Sequence, residues 1–381
     1  MRPPALRLRR LLCATFLLSI PLAACSPPPP PGDYSEANAR RHVQALAAHI
    51  GSRPAGTDAD RHAREYVIGQ LRMSGFDVRV QEADAVRPVH GATVHVTNVV
   101  ATSPGAEPDT IALVSHYDSV PDGPGAADDG LGVAVCLEAG RALAARPNRR
   151  HTLAVIVTDA EELGLFGAAA VVHDPVVARI TTVLNFEAIG GSGPLLMFEM
   201  AQGPGVGEQG SGVRGQGPGT GVRESAIRAW ASHAPRPAGT SAMYEIYRRL
   251  PNDTDFTLLR AAGLRGLNFA AAGDSYVYHT RLDIPSRLDP GTLRHALQTA
   301  VATVEALDRM DGAAAGGGVT TYFEIPGAGV FAYGSAMTTL LFAVALLAGL
   351  MAWMKVGRAA LEEIGLLQIL LTLAWTLVGL A

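Results

Sequence analysis

The sequence predicts an α/β domain, a mixed, largely parallel central sheet flanked by helices, followed by C-terminal transmembrane helices. Three observations predict it. Between Tyr34 and about Asp311, short apolar runs alternate with stretches of helical spacing, the pattern of strands covered on both faces. Several of those runs stop abruptly at Asp, Glu or His. From Gly329 to Met354 no residue is charged.

Composition bounds the rest. The chain has 381 residues, a net charge of −4, 17% charged and 48% hydrophobic residues, which suits one large or two modest domains. No basic field is available, so nucleic acid is excluded as a partner. Glycine and proline are abundant but gather in tails and loops, so the chain as a whole is not disordered. Cys13, Cys25 and Cys136 cannot form a disulfide framework. Low charge with a mean hydropathy of +0.18 places part of the chain in lipid.

In chain order, Arg2, Arg7, Arg9 and Arg10 precede the apolar run Leu11–Ile20 and then Leu22-Ala23-Ala24-Cys25. That order describes a secretory signal over residues 1–25, and its last four residues resemble the lipobox of bacterial lipoproteins. Residues 26–34, with Pro27–Pro31, form a stiff linker. Helical spacing runs through Ala37–Ile50 and Asp58–Ser74. Strands follow at Phe76–Val80, Ala92–Ala101, Thr110–Ser115 and Thr152–Thr158, with a helix over Gly130–Ala145 between the last two. Thr181–Phe186 and Gly266–Ala270 read as later strands, and the glycine-dense Gly203–Gly221 reads as a surface loop. Cys136, among Val133, Val135 and Leu137, reads as a small buried side chain.

Residues 329–354 are long enough to cross a bilayer core of ~30 Å. Lys355 and Arg358 behind them put that flank in the cytoplasm and the preceding domain outside it. Residues 364–381 form a second apolar run near the lower limit for a span. Membrane lipid is therefore an expected partner, and no obligate protein partner is evident.

The polar residues at strand ends carry the functional argument. The run Ile111–Val114 ends in Ser115-His116-Tyr117-Asp118, where an open α/β sheet places ligands. Asp128-Asp129 stand before a helix, where one aspartate can cap and two repel. Thr152–Thr158 ends in Asp159-Ala160-Glu161-Glu162 against apolar Leu163, Leu165 and Phe166; Thr181–Phe186 ends in Glu187; and His279 lies in an aromatic loop. Taken singly, each has a structural explanation: a turn, a cap, a packed histidine. Together they form an acidic cluster that needs a divalent ion. Imidazole and carboxylate without thiolate suit zinc in a hydrolytic role.

These residues sit in SHYDSVPDGPGAADDG, TDAEELGLFGA, NFEAIGG, NDTDF and YHTRLDIPSRLD. In that order the motifs resemble the zinc-dependent aminopeptidases: secreted leucine aminopeptidases, glutamate carboxypeptidase-like enzymes and, nearest, the membrane-tethered endoplasmic reticulum metallopeptidase (Fxna) branch. IGSRPAGTDADRHAREYVIGQL is similar to that family's lead-in helices, and TTYFEIPGAGVFAYG looks like the membrane-tethered branch. The resemblance covers about Ser35–Met310. It implies the zinc exopeptidase type of sheet over residues 35–312 and a membrane-anchored, extracytoplasmic aminopeptidase acting on peptide substrates.

The resemblance makes His116, Asp128, Glu162, Glu187 and His279 ligands of two Zn²⁺ ions. Asp128 would bridge, with His116 and Glu187 on one ion and Glu162 and His279 on the other. Glu161 would be the general base, and Asp118 the partner that fixes the His116 tautomer. Four positive charges against three carboxylates and a hydroxide would leave the core neutral. The family's Asp–Asp peptide is often cis, which extends to Asp128–Asp129. Glu187 stands where many relatives have Asp. Asn252, Asp253 and Asp255 would line or brace the cleft. Two other functions share these residues: a single-zinc glutaminyl cyclase or amidohydrolase, and an inactive binding ectodomain, which usually lacks a ligand or the base.

Overall fold

The computed structural model describes residues 33–87, 89, 91–202, 225–310, 319–325, 328–361 and 371. The segments expected as a signal (1–25), as most of a linker (26–32) and as a glycine-dense surface loop (203–221), and, apart from residue 371, the run 364–381 lie outside the described residues.

Helix α1 (Glu36–Val43) starts where Ser35 accepts the N–H of Asn38, and it passes into a π-helical turn, Gln44–Ile50. A non-helical stretch leads to α2 (Asp58–Met73), capped by Thr57. The sheet then begins with β1 (Asp77–Arg87), β2 (Ala92–Ser103) and β3 (Glu107–His116). Asp129 caps α3 (Gly130–Ala144) by accepting the N–H of Gly132, and β4 (His151–Thr158), α4 (Phe166–Val171), β5 (Ile180–Ala188) and β6 (Ser192–Gln202) follow. After α5 (Ser225–His233), α6 (Ser241–Tyr247) and α7 (Asp255–Ala261) come β7 (Arg265–Gly273) and α8 (Pro290–Arg309). The hairpin β8 (Val319–Ile325) and β9 (Gly329–Gly334) leads into α9 (Ser335–Leu361).

Seven strands form one sheet in the order β1-β2-β4-β3-β5-β7-β6. The inner four, β4, β3, β5 and β7, are parallel; β1, β2 and β6 join antiparallel. The predicted largely parallel sheet is present. Its apolar runs are continuous because both faces are covered. Ile111, Leu113, Leu153, Val155 and Val157 face the larger core under α1, α2, α3, α5 and α8. Ala112, Val114, Ala154 and Ile156 face the smaller one with Val171 of α4 and Phe256 and Leu259 of α7. The buried Cys136 belongs to the larger core.

The chain leaves β3 for β4 on one side and then crosses to β5 on the other. The C-terminal end of β3, which carries His116, is therefore a topological switch point.

Beyond β6 the sheet continues in short form. Met197 N–H donates to Ala238 O (2.9 Å), Glu324 N–H donates to Gly239 O (3.2 Å), and Thr240 bridges to Phe323 of β8. A side chain at Gly239 would meet Met197 O at 2.2 Å, so only glycine fits between them. Tyr322 buries its ring edge-on to Trp230.

The C-terminal end departs from expectation. Gly329–Gly334 is not part of a helix: Val330, Phe331 and Tyr333 pair with β8, as β-branched and aromatic residues favour. Helix α9 starts only at Ser335. Among the described residues, no helix is long and apolar enough to cross a membrane. Within α9, Leu340, Val344, Leu347 and Met351 are all more than half exposed.

Candidate metal centre

Five chain segments meet at the C-terminal edge of the parallel strands. His116 is the last residue of β3 and is level with Thr158, the last of β4. The turn after Thr158 carries Glu161 and Glu162; β5 ends in Glu187-Ala188; the loop after β7 brings His279. Asp128 arrives on the segment before α3. All five predicted ligands and Glu161 are thus brought together.

Asp128 is the centre of the geometry. Its Oδ1 lies 3.3 Å from His116 Nε2, and its Oδ2 lies 3.2 Å from His279 Nε2. Around His116 Nε2 stand Glu187 Oε2 at 3.5 Å and Glu161 Oε2 at 4.0 Å; Glu162 Oε2 is 3.0 Å from His279 Nε2. The donors of His116, Asp128 and Glu162 fall within 4.8 Å of one another, as do those of His116, Glu161 and Glu187. Distance alone therefore allows Glu161 as a donor as readily as Glu162.

His116 is buried, and neither of its ring nitrogens makes a hydrogen bond despite these neighbours; Glu162 Oε1 is likewise unpartnered. Buried polar atoms are rarely left so. Two imidazoles and three carboxylates converging here, with both His116 nitrogens and Glu162 Oε1 unpartnered, are a donor set that fits Zn²⁺.

The protonation energetics agree. Burial drives Glu161 well above the usual carboxyl range, with Glu187, Asp255 and Glu162 adding to the rise, and drives Glu162 up to about 7. Asp128 resists its burial, because His116 and His279 hold it at about 2. His279 is raised to about 10: Asp128 and Glu162 outweigh the desolvation that lowers it. A cation among these groups would let all the carboxylates ionise.

Asp118, expected to orient His116, approaches its ring and is also bonded to the glutamate turn. Its Oδ1 is 3.3 Å from His116 Nδ1, and its two oxygens accept the N–H groups of Glu161 (3.1 Å) and Glu162 (3.2 Å). The two adjacent aspartates divide as a cap and a cluster member. Asp129 caps α3 and also accepts His116 N–H at 3.3 Å, leaving Asp128 free to face the imidazoles. The Asp128–Asp129 peptide is cis. Ala160 and His279 both adopt positive φ, 52° and 56°, an uncommon backbone for such residues that aims the glutamate pair and the imidazole.

In the NDTDF stretch, Asp255 is buried and accepts the Thr158 hydroxyl, bracing the end of β4. Asn252 reaches the Tyr278 hydroxyl at 3.5 Å. Asp253 accepts from Thr257 at the surface of α7 and stands apart from the cluster.

Two residues were not singled out from the sequence. Asp283 accepts the N–H groups of Ala127 (2.7 Å) and Asp128 (3.0 Å), tying the His279 loop to the Asp128 segment. Tyr278 stacks on His279, with centroids 3.7 Å apart. Their signal was proximity in sequence to His279, which lacks force until the loop's path is known.

The profile described as "Peptidase family M28" matches residues 98–304, more than half of the chain and all of this site. The chain belongs to peptidase family M28. This M28 chain is 29% identical over 288 residues to a putative endoplasmic reticulum metallopeptidase 1 of Schizosaccharomyces pombe, covering 68% of the chain and 32% of that protein. It is 26% identical over 337 residues to the mouse endoplasmic reticulum metallopeptidase 1, covering 81% and 35%. The chain thus spans about a third of the length of these relatives. Among solved structures, a zinc aminopeptidase from Bacillus subtilis superposes with a TM-score of 0.54 at 17% identity, over 71% of this chain and 94% of that one. A glutaminyl cyclase from Porphyromonas gingivalis gives 0.53 at 17% identity, over 71% and 98%. Both share the fold of the M28 domain.

Proposed function

We propose that this chain is a membrane-tethered zinc exopeptidase that removes residues from peptide N-termini outside the cytoplasm. One observation carries the reading: the two oxygens of Asp128 each meet a different imidazole, as a carboxylate bridging two ions would. His116, Asp128 and Glu187 would hold one Zn²⁺, and Asp128, Glu162 and His279 the other. When bound, the ions supply an acidified water and a polarised scissile carbonyl.

The rest of the chemistry belongs to the protein. Glu161 accepts the proton of the attacking water and returns it to the leaving amine, so that one carboxyl serves as base and then as acid. Its burial suits this work, because an apolar setting keeps a carboxyl's proton affinity high. Asp118 holds the backbone of Glu161 and Glu162 so that the adjacent side chains diverge. Tyr278 stacks on His279 and accepts Asn252 Nδ2 at its hydroxyl, which steadies the loop that carries the imidazole.

Membrane attachment is supported by the uncharged sequence 335–354 and by the exposed apolar side chains of α9. Relatives named vacuolar membrane protease and endoplasmic reticulum metallopeptidase are in keeping with it. A reporter fused after Arg358 is expected to face the cytoplasm; a signal from the opposite side reverses the topology.

The deciding experiment for activity is metal analysis of the purified chain together with aminoacyl-anilide and glutaminyl-peptide substrates. Two zinc ions with anilide turnover are expected. One zinc with pyroglutamate formation would make the chain a cyclase, and neither would make it a binding ectodomain.

A further inference from the structure

Arg53 lies in the non-helical stretch between the π-helical turn and α2, and its side chain is wholly buried. The guanidinium donates to four main-chain carbonyls: Tyr117 O at 2.6 Å, Gly125 O at 3.0 Å, Gly51 O at 3.4 Å, and Pro124 O. Tyr117 follows His116 directly, and Pro124 and Gly125 stand just before Asp128. The fork therefore fastens the beginning of the 117–125 loop to its end.

The main chain around Arg53 completes the clamp. Arg53 N–H donates to Ser119 Oγ at 3.0 Å, and Ser119 N–H donates back to Arg53 O at 3.2 Å. Ser52 Oγ reaches Val120 O and Pro121 O at 3.0 and 2.8 Å. Gly125 has φ +62°, and a side chain there would come within 2.3 Å of Asp128 O and 3.0 Å of the guanidinium. The cation is thus pressed against the backbone of the turn. Asp118, Asp283, Asp128 and Asp129 all place negative charge on it.

We propose that Arg53 is a positioning residue that sets the spacing of His116 and Asp128 before any metal arrives, its fork closing the loop and its charge offsetting the neighbouring carboxylates. The proposal rests on the metal-centre reading given above. Lysine would keep the charge, but its donors radiate from one nitrogen and cannot span both ends of the loop.

The test uses the full chain stripped of metal, with Co²⁺ as the probe. In the metal-free wild type, the N–H groups of Ser119, Gly123 and Gly130, bonded within or across this loop, are expected to stay protected from hydrogen exchange. Arg53→Lys, checked for folding by circular dichroism, is expected to bind Co²⁺ at least tenfold more weakly (about 1.4 kcal/mol), with an altered visible absorption band. Arg53→Met is expected to bind more weakly still. If the three amides exchange freely in the metal-free wild type and gain protection only with Co²⁺, the ion builds the loop and the proposal is wrong, even if neither variant folds. Folded Arg53→Lys with wild-type affinity and spectrum overturns it equally. Wild-type protein that takes up no Co²⁺ removes the metal-centre reading instead, while the exchange result still decides the loop.

Discussion

Oδ1 of Asp118 lies 3.3 Å from Nδ1 of His116, and the same oxygen accepts the backbone N–H of Glu161 at 3.1 Å. One carboxylate thus lies against an imidazole of the cluster and holds the main chain beneath the proposed base. Asp118→Asn keeps the shape but leaves only one oxygen for two N–H donors and the imidazole. Zinc affinity and kcat/KM are each expected to fall by about 10- to 100-fold, read by metal titration and anilide hydrolysis. Unchanged values for both would remove this double role.

Glu161→Gln cannot accept a proton but occupies the same space. Turnover is expected to fall by about 10²- to 10⁴-fold while zinc content stays at the wild-type level. Elemental analysis beside the rate measurement separates the roles: loss of zinc would make Glu161 a ligand, as its 4.0 Å approach to His116 permits.

Asp128→Asn removes the charge that faces both imidazoles. The purified variant is expected to lose bound zinc and, with it, activity. Full zinc occupancy in that variant would contradict a bridging carboxylate.

His42, buried against Tyr66, has its pKa lowered to about 4 by desolvation. Between about 6.5 and 4 the unfolded chain binds this proton and the folded one does not. Stability from this group is therefore full above pH 6.5 and is lost as the pH falls toward 4, by about 3 kcal/mol in all. Urea unfolding across that range is expected to show a shallower loss in His42→Gln than in wild type; equal slopes would exclude the effect.

Gly167 of α4 packs against the turn after β4 and against β2, and a side chain there would meet Asp159 O at 2.2 Å and Asn98 Oδ1 at 2.6 Å. Gly167→Ala is expected to cost about 1–3 kcal/mol, measured by urea unfolding, and to displace the turn that carries Glu161 and Glu162. A variant as stable as wild type would show that α4 can shift freely.

The inner strands were legible because two covers make a strand uniformly apolar: Ile111 and Leu113 answer one core, Ala112 and Val114 the other. His116, the Glu161-Glu162 pair and Glu187 were legible because each stands at the end of such a run, whereas Asp128 before α3 and His279 in its loop were legible only through the motifs around them. β6 was not, since Glu199 interrupts its apolar pattern; the charge is compensated by Arg260 at 3.1 Å and Asn268 at 3.0 Å, partners far along the chain. β9 was hidden inside a longer uncharged run, where strand pairing with β8 competes with helix formation and wins. Asp283 escaped notice because its partners, the amides of Ala127 and Asp128, lie more than a hundred residues away.

The short ladder from β6 through residues 238–240 to β8 and β9 has a mechanical outcome. Backbone hydrogen bonds run sideways from the strand bearing Glu187 to the residue where α9 begins, with no slack segment among the described residues on that path. Tilting α9 therefore levers the whole sheet, and the cleft keeps a set height and bearing relative to that helix instead of swinging on a leash.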